Sequence, residues 1–248
     1  MNKAVSVYFI SALTAGGLTI NAANASAELA TSSSVDTTAI AQKESINDSV
    51  SSSLQSRLSN MKQFRADFTQ TVVDAQQNVV HEAQGTLTMT RPNKLRWETT
   101  FPDETLLVAD GDAVWNVDTF VEQVTVLSQD NAIKDNPIVL LTSTDEATWS
   151  KFSISQMNNG VPTNISASEI NNDTVMQSYQ ITPKEEGGQI VTLTLSFNQD
   201  NELASLNMLD AQQQISTLVF NNIETRFPIP ADTFSVDIPD SFIVDDQR

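Results

Sequence analysis

The stretch "RPNKLRWE", Arg91–Glu98, alternates apolar and polar side chains after its proline. Leu95 and Trp97 point to one face, and the charged residues around them point to the other. A period of two is typical of a β-strand with one buried face. This stretch therefore predicts a strand at the edge of a hydrophobic interior.

The same alternation extends in both directions along the chain. It is present upstream in "FRADFTQTVV" and "GTLTMT", and downstream in "ETLLVA", "DAVWNV", "EQVTVL", "SYQITP", "IVTLTLSF", "ELASLNML" and "QQISTLVFNNI". The Asp-Gly pair in "ADGDA" predicts a tight hairpin turn. Some ten short strands separated by Pro, Asp and Gly predict one antiparallel sheet that is strongly curved or partly closed.

The first residues are expected to be removed from the mature chain. Residues 1–27 have the pattern of a signal peptide, and "ASA" places cleavage after Ala27, with "ANA" as a competing site. Residues 28–47 are rich in Ser and Thr, lack aromatics and predict a flexible extension. The folded domain is expected over 48–248, starting with a helix capped by Asp48. The apolar stripe of this helix is Val50, Leu54, Leu58 and Met61.

The composition excludes several classes of function. The 248 residues include 13 Lys and Arg, 31 Asp and Glu and no cysteine, a net charge of −18. Removing residues 1–27 removes one lysine and no acid, so 12 basic and 31 acidic residues give −19. This charge disfavours nucleic acids and anionic membranes as partners. The lack of cysteine excludes thiolate catalysis and a disulfide scaffold.

Residues 131–152 interrupt the alternation. Asn136 suits a helix cap, Pro137 suits the first helical position, and the apolar run "IVLL" follows. A second short helix is expected with Thr144 as its cap. Together with the N-terminal helix, these elements predict a helical cover over one end of a barrel.

Few residues have the pattern of a catalytic site. The chain has a single histidine, His81, with no Gly-x-Ser-x-Gly elbow and no glycine-rich phosphate loop. Adjacent carboxylates keep a secreted, carboxylate-dependent hydrolase open as an alternative. These pairs are Asp103/Glu104, Asp145/Glu146 and Glu185/Glu186. No catalytic, metal-binding or cofactor-binding residue is predicted.

Large apolar side chains recur at alternate positions of many strands. They fit an ordinary β-sandwich core or a dry cavity for hydrocarbon chains. Arg91 also has two interpretations, a solvated strand end or a guanidinium that binds the free carbonyls of a helix end. The set expected on the concave side is Phe68, Leu87, Met89, Leu95, Trp97, Leu107, Trp115, Val117, Val126, Leu193, Leu195, Phe197, Leu206 and Met208.

Five motifs, taken in order and spacing, resemble the family of outer-membrane lipoprotein carrier proteins, LolA, of Gram-negative bacteria. They are "FRADFTQ", "GTLTMTRPNKLRWE", "PDETLLVADGDAVWNVDTFVEQVTV", "NPIVLL" and "FIVDDQR". The resemblance runs from about Leu54 to the C-terminus and is densest between Phe64 and Leu141. One departure is Leu95, where the family often has a second aromatic residue.

The resemblance implies a mainly β fold, in which a single curved antiparallel sheet of about eleven strands forms a half-open barrel closed by a lid of short α-helices. It implies a periplasmic chaperone, not an enzyme, that binds the acyl chains of lipoproteins as a monomer. It further implies two protein partners, the inner-membrane ABC transporter LolCDE as donor and the outer-membrane receptor LolB as acceptor.

The resemblance also implies roles for particular residues. Arg91 would latch the lid. The lid residues would be Pro137, Ile138, Leu140 and Leu141. The residues lining the acyl-chain cavity would be Phe68, Leu87, Met89, Leu95, Trp97, Leu107, Trp115 and Val117. The nearest alternative is a periplasmic sensor domain of related fold that binds lipid or a partner protein.

Overall fold

A computed structural model of the chain describes residues 37–135, 137–157, 175–185 and 188–248. The predicted signal peptide and the predicted cap Asn136 lie outside these residues. The helices are α1 (Thr37–Asn60), α2 (Gln129–Asp135), a 3-10 helix (Pro137–Thr142) and α3 (Glu146–Trp149). The strands are β1 (Gln63–Val73), β2 (Val79–Thr90), β3 (Lys94–Phe101), β4 (Thr105–Asp110), β5 (Ala113–Asp118), β6 (Gln123–Ser128), β7 (Phe152–Met157), β8 (Val175–Pro183), β9 (Ile190–Asn198), β10 (Leu203–Asp210), β11 (Ile215–Glu224) and β12 (Ile243–Asp246).

All twelve described strands form one sheet in the order β12-β6-β5-β4-β3-β2-β1-β11-β10-β9-β8-β7. The sheet is not closed, because β12 and β7 lie at its two edges. The prediction of a single open sheet of about eleven strands is confirmed, with twelve strands among the described residues. Among the described residues, the strand pairs are antiparallel apart from that of β12, which runs parallel to β6. After β11 the chain crosses the sheet instead of turning back in a hairpin, and a crossover delivers a parallel strand.

The strands separate their apolar side chains into two clusters on opposite faces. The larger cluster lies on the concave side and includes Phe68, Leu87, Met89, Leu95, Trp97, Leu107, Leu193, Leu195, Phe197, Leu206 and Met208. We call it the inner cluster. A smaller outer cluster joins β4, β5 and β6 to the segment before β12, and consists of Ala113, Val117, Val124 and Val126 with Leu106, Trp115, Val236, Ile238 and Phe242.

Three residues expected on the concave side belong to the outer cluster: Trp115, Val117 and Val126. Cross-strand pairing decides this, because paired residues share a face of the sheet. Val108 pairs with Trp115, whereas Val114 pairs with Ala109 of the inner cluster. Strand β5 reads "AVWNV" and is apolar in both alternating sets, so its sequence alone does not orient it.

Helix α1 begins at Thr37, eleven residues before the expected start at Asp48. Asp48 is therefore inside the helix and not its cap, and the second half of the expected flexible extension is helical. Residues 39–44 contain the good helix formers Ala, Gln, Lys and Glu. The high Ser and Thr content of the surrounding segment masks this local preference. The predicted stripe is confirmed, since Leu54 and Leu58 lie in the inner cluster with Val50 and Met61 packed against it. No helix within the described ranges is long and apolar enough to span a bilayer.

The predicted Asp-Gly turn joins β4 to β5. Gly111 has φ +113°, which glycine adopts without steric cost. The carboxylate of Asp110 closes the turn, because its Oδ1 accepts from the backbone N–H groups of Asp112 and Ala113, both at 2.8 Å. Its Oδ2 accepts from Nε1 of Trp115 at 2.7 Å. One side chain thus fixes both the turn and the tryptophan on the outer face.

We expect the substitution Asp110→Ala to destabilise the protein by about 1 kcal/mol at neutral pH, a value kept low because water screens this partly exposed carboxylate. Burial raises the pKa of Asp110, but the hydrogen bonds from Ala113, Asp112 and Trp115 outweigh burial and lower it overall. A lowered pKa means that the stabilisation is present above the ordinary value and is lost as pH falls through the lowered value. Urea unfolding at neutral and acid pH should show that the difference in free energy of unfolding between wild type and Asp110→Ala becomes smaller at acid pH. An equal loss of stability at both pH values would contradict the role of Asp110 in closing the turn. An equal loss of stability in Asp112→Ala would contradict it as well.

Candidate functional site: the lid and its arginine

The helical elements between β6 and β7 place apolar side chains inside the curve of the sheet. In the 3-10 helix Pro137–Thr142, which we call the lid helix, the side chains of residues 138–141 are at most 1% exposed. All four, Ile138, Val139, Leu140 and Leu141, belong to the inner cluster. The predicted helical cover is present, with its apolar side chains buried. Val139 is buried as well, although it was not among the predicted lid residues. Contact of these residues with acyl chains stays a prediction.

The wall opposite the lid helix comes from β1, β2, β3 and β4. Phe68 and Trp97 pack with ring centroids 4.5 Å apart. Leu95 is completely buried. Six of the eight residues proposed for the cavity lie on this side: Phe68, Leu87, Met89, Leu95, Trp97 and Leu107.

Arg91 follows β2 and binds the end of the lid helix. Its Nη1 donates to the carbonyl oxygen of Ser143 at 2.9 Å, and its Nη2 donates to the carbonyl oxygen of Leu141. The backbone N–H of Asn93 donates to the carbonyl of Thr142 at 3.1 Å. The last carbonyls of a helix have no partner within it, so the β2–β3 turn supplies the missing donors. This is the contact that the resemblance to the family implied for Arg91, whereas its role as a releasable latch stays a prediction.

Burial reduces the net stabilisation that the Arg91 contact can give. Removal from water disfavours the charged form and lowers the pKa of Arg91 to about 10. Two hydrogen bonds from a charged donor contribute about 1.5–3 kcal/mol each. Its Nε is buried without a partner among the described residues. Burial and the unpartnered Nε therefore reduce the net stabilisation that these two hydrogen bonds give the lid helix.

The latch is accessible from outside the sheet. An open depression of about 520 Å³ lies beside it, lined by Thr90, Arg91, Pro92, Asn93, Lys94, Asp110, Gly111 and Asp112. Water or a partner protein can therefore reach Arg91 without entering the inner cluster.

Two of the adjacent carboxylate pairs have ordinary structural positions. Asp145 caps α3, since its carboxylate accepts from the backbone N–H of Thr148 at 2.7 Å. The expected cap Thr144 is therefore wrong by one residue, because the longer Asp side chain reaches that N–H. Hydrogen bonds from the side chain and backbone of Thr148 lower the pKa of Asp145. Asp103 and Glu104 lie in the β3–β4 turn. Glu186 lies outside the described residues, and those residues contain no metal-binding group of His, Asp and Glu.

Arg57, a cation beside the inner cluster, was not predicted from the sequence. Arg57 on α1 lies between Leu54 and Leu58 and donates through Nε to the hydroxyl of Tyr179 at 3.1 Å. The signal was an arginine in "LQSRL", adjacent to the apolar stripe of a predicted helix. It was overlooked because a charged residue beside such a stripe is usually solvated.

The fold and the lid together define a class of protein: an open, curved sheet whose apolar concave face is filled by its own helical cover. A sequence profile described as outer membrane lipoprotein carrier protein LolA matches residues 59–237. An outer-membrane lipoprotein carrier protein of Pseudoalteromonas translucida (strain TAC 125) is 34% identical over 199 residues, covering 79% of this chain and 87% of that protein. Another, of Shewanella halifaxensis (strain HAW-EB4), is 32% identical and covers 80% of this chain and 86% of that protein. The chain belongs to the LolA family of outer-membrane lipoprotein carrier proteins.

A solved structure of a LolA superfamily protein from Nitrosomonas europaea is 12% identical with a TM-score of 0.43, covering 75% of this chain and 98% of that chain. A likeness at that level adds no argument to the family assignment.

Proposed function

We propose that the protein is a periplasmic chaperone that binds the acyl chains of lipoproteins and carries them between membranes. It takes cargo from the inner-membrane ABC transporter LolCDE and delivers it to the outer-membrane receptor LolB. The observation that carries the proposal is the lid helix, whose Ile138, Val139, Leu140 and Leu141 fill the concave face and are held by few polar contacts. Membership of a family of carrier proteins supports it and leaves no reason to retain the hydrolase alternative.

The physical need for such a carrier follows from the size of the hydrophobic effect. Each methylene removed from water is worth about 0.8 kcal/mol, so a protein bearing long acyl chains does not leave a membrane unaided. The concave face offers an apolar surface of the same kind, at present covered by the lid. Cargo and lid compete for that surface, which keeps the cargo from being held too tightly to deliver.

The proposed site of action is the periplasm, after removal of residues 1–27 by cleavage following Ala27. The mature chain would act as a monomer, and its strong negative charge would discourage it from binding anionic membrane surfaces directly. Mass spectrometry of the protein exported by its host cell would give the first residue of the mature chain.

The decisive experiment incubates the purified mature protein with spheroplasts that synthesise a labelled lipoprotein. A soluble one-to-one complex is expected, and it should vanish when the lipoprotein is made without acyl chains. If the lipoprotein stayed in the membrane although the protein was folded and the transporter active, the carrier function would be wrong.

The competition between lid and cargo makes a second prediction, for Leu140→Ala. Removing this fully buried side chain should lower the free energy of unfolding by about 3 kcal/mol. Because a weakened lid is easier to displace, the affinity for a palmitoylated peptide should rise. Urea unfolding and titration with a fluorescent palmitoylated peptide measure the two effects.

The matched control for Leu140 is Ile243→Ala, since Ile243 is 70% exposed. It should alter neither stability nor affinity. A Leu140→Ala variant that lost both stability and affinity would mean that Leu140 is only a core residue.

A further inference from the structure

Residues 225–242 link β11 to β12, and we call them the C-terminal strap. Near its end, Val236, Ile238 and Phe242 pack on the outer cluster. Earlier in the strap, Phe234 lies in a turn and is nevertheless only 8% exposed. A large aromatic ring withdrawn from water to that extent is held in place by the hydrophobic effect. The strap is therefore fixed on the outside of the sheet at more than one point.

Phe234 lies next to the β2–β3 turn. The Nζ atom of Lys94, the first residue of β3, is 5.9 Å from the centroid of the Phe234 ring. An ammonium group at that distance from an aromatic ring is attracted by the negative charge on its face. The strap thus contacts the turn that carries Arg91 three positions earlier.

The same turn binds the helical cover. Besides the two hydrogen bonds of Arg91, the backbone N–H of Asn93 donates to the carbonyl oxygen of Thr142 at 3.1 Å. The carbonyl oxygen of Asn93 accepts from Nε2 of Gln129, the first residue of α2, at 3.0 Å. Asn93 has φ +60°, a conformation that residues other than glycine seldom adopt. The turn is therefore held in an uncommon shape by its contacts with the cover.

One peptide group joins the two sets of contacts. The carbonyl oxygen of Asn93 that binds Gln129 belongs to the peptide group that continues into Lys94. Because a peptide group is planar and rigid, a rotation of the Lys94 backbone also moves that carbonyl oxygen. A change in the position of the strap is thus transmitted to the cover over the length of a single residue.

We propose that the C-terminal strap controls the lid helix through the β2–β3 turn. Phe234, seated beside Lys94, keeps the turn in the shape that binds the cover, and lifting the strap loosens the lid helix. Phe234 and Lys94 are positioning residues in this arrangement. The inference rests on the proposed function for the role of the lid, and it adds an element outside the concave face that sets how readily the lid opens.

Amide hydrogen exchange of the full mature chain without cargo, read by mass spectrometry, tests the control. In Phe234→Ala, the exchange rate of residues 138–143 should rise about fivefold, which corresponds to about 1 kcal/mol. That is the size expected from the loss of one exposed contact between a cation and an aromatic ring. Exchange of residues 49–60 in α1 should stay unchanged, because α1 does not contact the turn through these residues.

The matched control is Phe227→Ala, in the same strap. Phe227 is also 8% exposed, but its ring centroid lies 4.1 Å from the guanidinium carbon of Arg65 on β1 and not beside the turn. Exchange of residues 138–143 in this variant should equal that of the wild type. A rise as large as in Phe234→Ala would mean that any loosening of the strap reaches the lid, and would overturn the route through the turn.

A double-mutant cycle with Lys94→Met identifies the route. Methionine keeps the unbranched side chain without the charge, so Lys94→Met should also raise exchange of residues 138–143 about fivefold. The double variant with Phe234→Ala should again be about fivefold faster than the wild type, because both changes break one contact. A double variant about twenty-five-fold faster would show that the two residues act separately and would overturn the route.

Unchanged lid exchange in Lys94→Met would overturn the proposal even where Phe234→Ala does not fold. The measurement uses no lipoprotein, so its outcome is separate from that of the spheroplast experiment. A protein that forms no complex with lipoprotein and still shows the coupling would refute the carrier function alone.

Discussion

Replacing Gly85 with Ala is expected to lower the free energy of unfolding by about 3 kcal/mol, the upper range for overpacking a core. A Cβ at Gly85 would overlap the backbone carbonyl oxygen of Glu98 on β3 and lie 2.8 Å from ring atoms of Phe68. The carbonyl belongs to the sheet and does not move as a flexible side chain would. Phe68 pairs with Gly85 across β1 and β2, and its ring packs on Trp97 at 4.5 Å. The wall opposite the lid is thus built over a glycine.

Urea unfolding followed by circular dichroism measures the loss. The comparison is Gly111→Ala, where the added Cβ meets only Lys94 Cε at 3.7 Å but φ is +113°. That variant has backbone strain without a clash, and its free energy of unfolding should fall by about 1 kcal/mol. If Gly85→Ala lost no more than Gly111→Ala, the tight approach of β2 to β3 at this point would not exist in solution.

The strands could be predicted because alternation is a local property. Each stretch such as "GTLTMT" or "KLRWE" carries its own period of two, and the structure places Leu87, Met89, Leu95 and Trp97 together on the concave face. Where one strand is apolar in both alternating sets, local pattern has nothing to decide. On β5 the orientation of Trp115 depends on its cross-strand partner and on Asp110, which binds its indole.

Other features depend on contacts far apart in sequence. The parallel pairing of β12 with β6 joins residues more than a hundred positions apart, and no turn signal near either strand announces it. The early start of α1 at Thr37 depends on the helix formers in residues 39–44, which lie within a segment rich in Ser and Thr. Arg57 meets Tyr179 across 122 positions. Its partners were unknowable until α1 and β8 were placed side by side.

The latch was predictable for a different reason. A proline fixes the backbone next to Arg91, and a helix end always leaves carbonyls without donors. The sequence places both features in one domain, and the resemblance to the family chose between a solvated arginine and a latch. The structure shows the hydrogen bonds to Leu141 and Ser143, whereas the release of the lid during transport stays a prediction.

Replacing Arg91 with Leu is expected to leave loading intact and to reduce delivery of lipoprotein to the proposed receptor LolB at least tenfold. In the proposed mechanism the closed lid competes with cargo, so any stability that the latch gives the empty state weakens cargo binding. If the latch contributes a net 1.4 kcal/mol, its loss tightens cargo binding about tenfold. If the carrier binds the cargo more tightly than the receptor does, the cargo stays on the carrier. The measurement is the fraction of a labelled lipoprotein that passes from a preformed soluble complex to purified LolB.

Two variants separate the latch from a general loss of charge. Arg91→Lys keeps the charge but presents a point donor in place of the planar fork that reaches two carbonyls, so delivery should be intermediate. Arg96→Leu removes a nearby arginine that pairs with Glu98 at 3.1 Å and faces away from the inner cluster. Delivery by Arg96→Leu should equal that of the wild type.

The titration of Arg91 gives a further constraint on the same experiment. Burial lowers its pKa to about 10, so the charged form is disfavoured in the closed state, and that penalty is present at every pH below about 10. The latch is therefore fully charged near neutral pH, and modest changes of pH there should not alter its effect on delivery. Normal delivery by Arg91→Leu would show that the apolar contacts of Ile138, Leu140 and Leu141 close the lid alone. Loss of loading would show instead that Arg91 contacts the cargo.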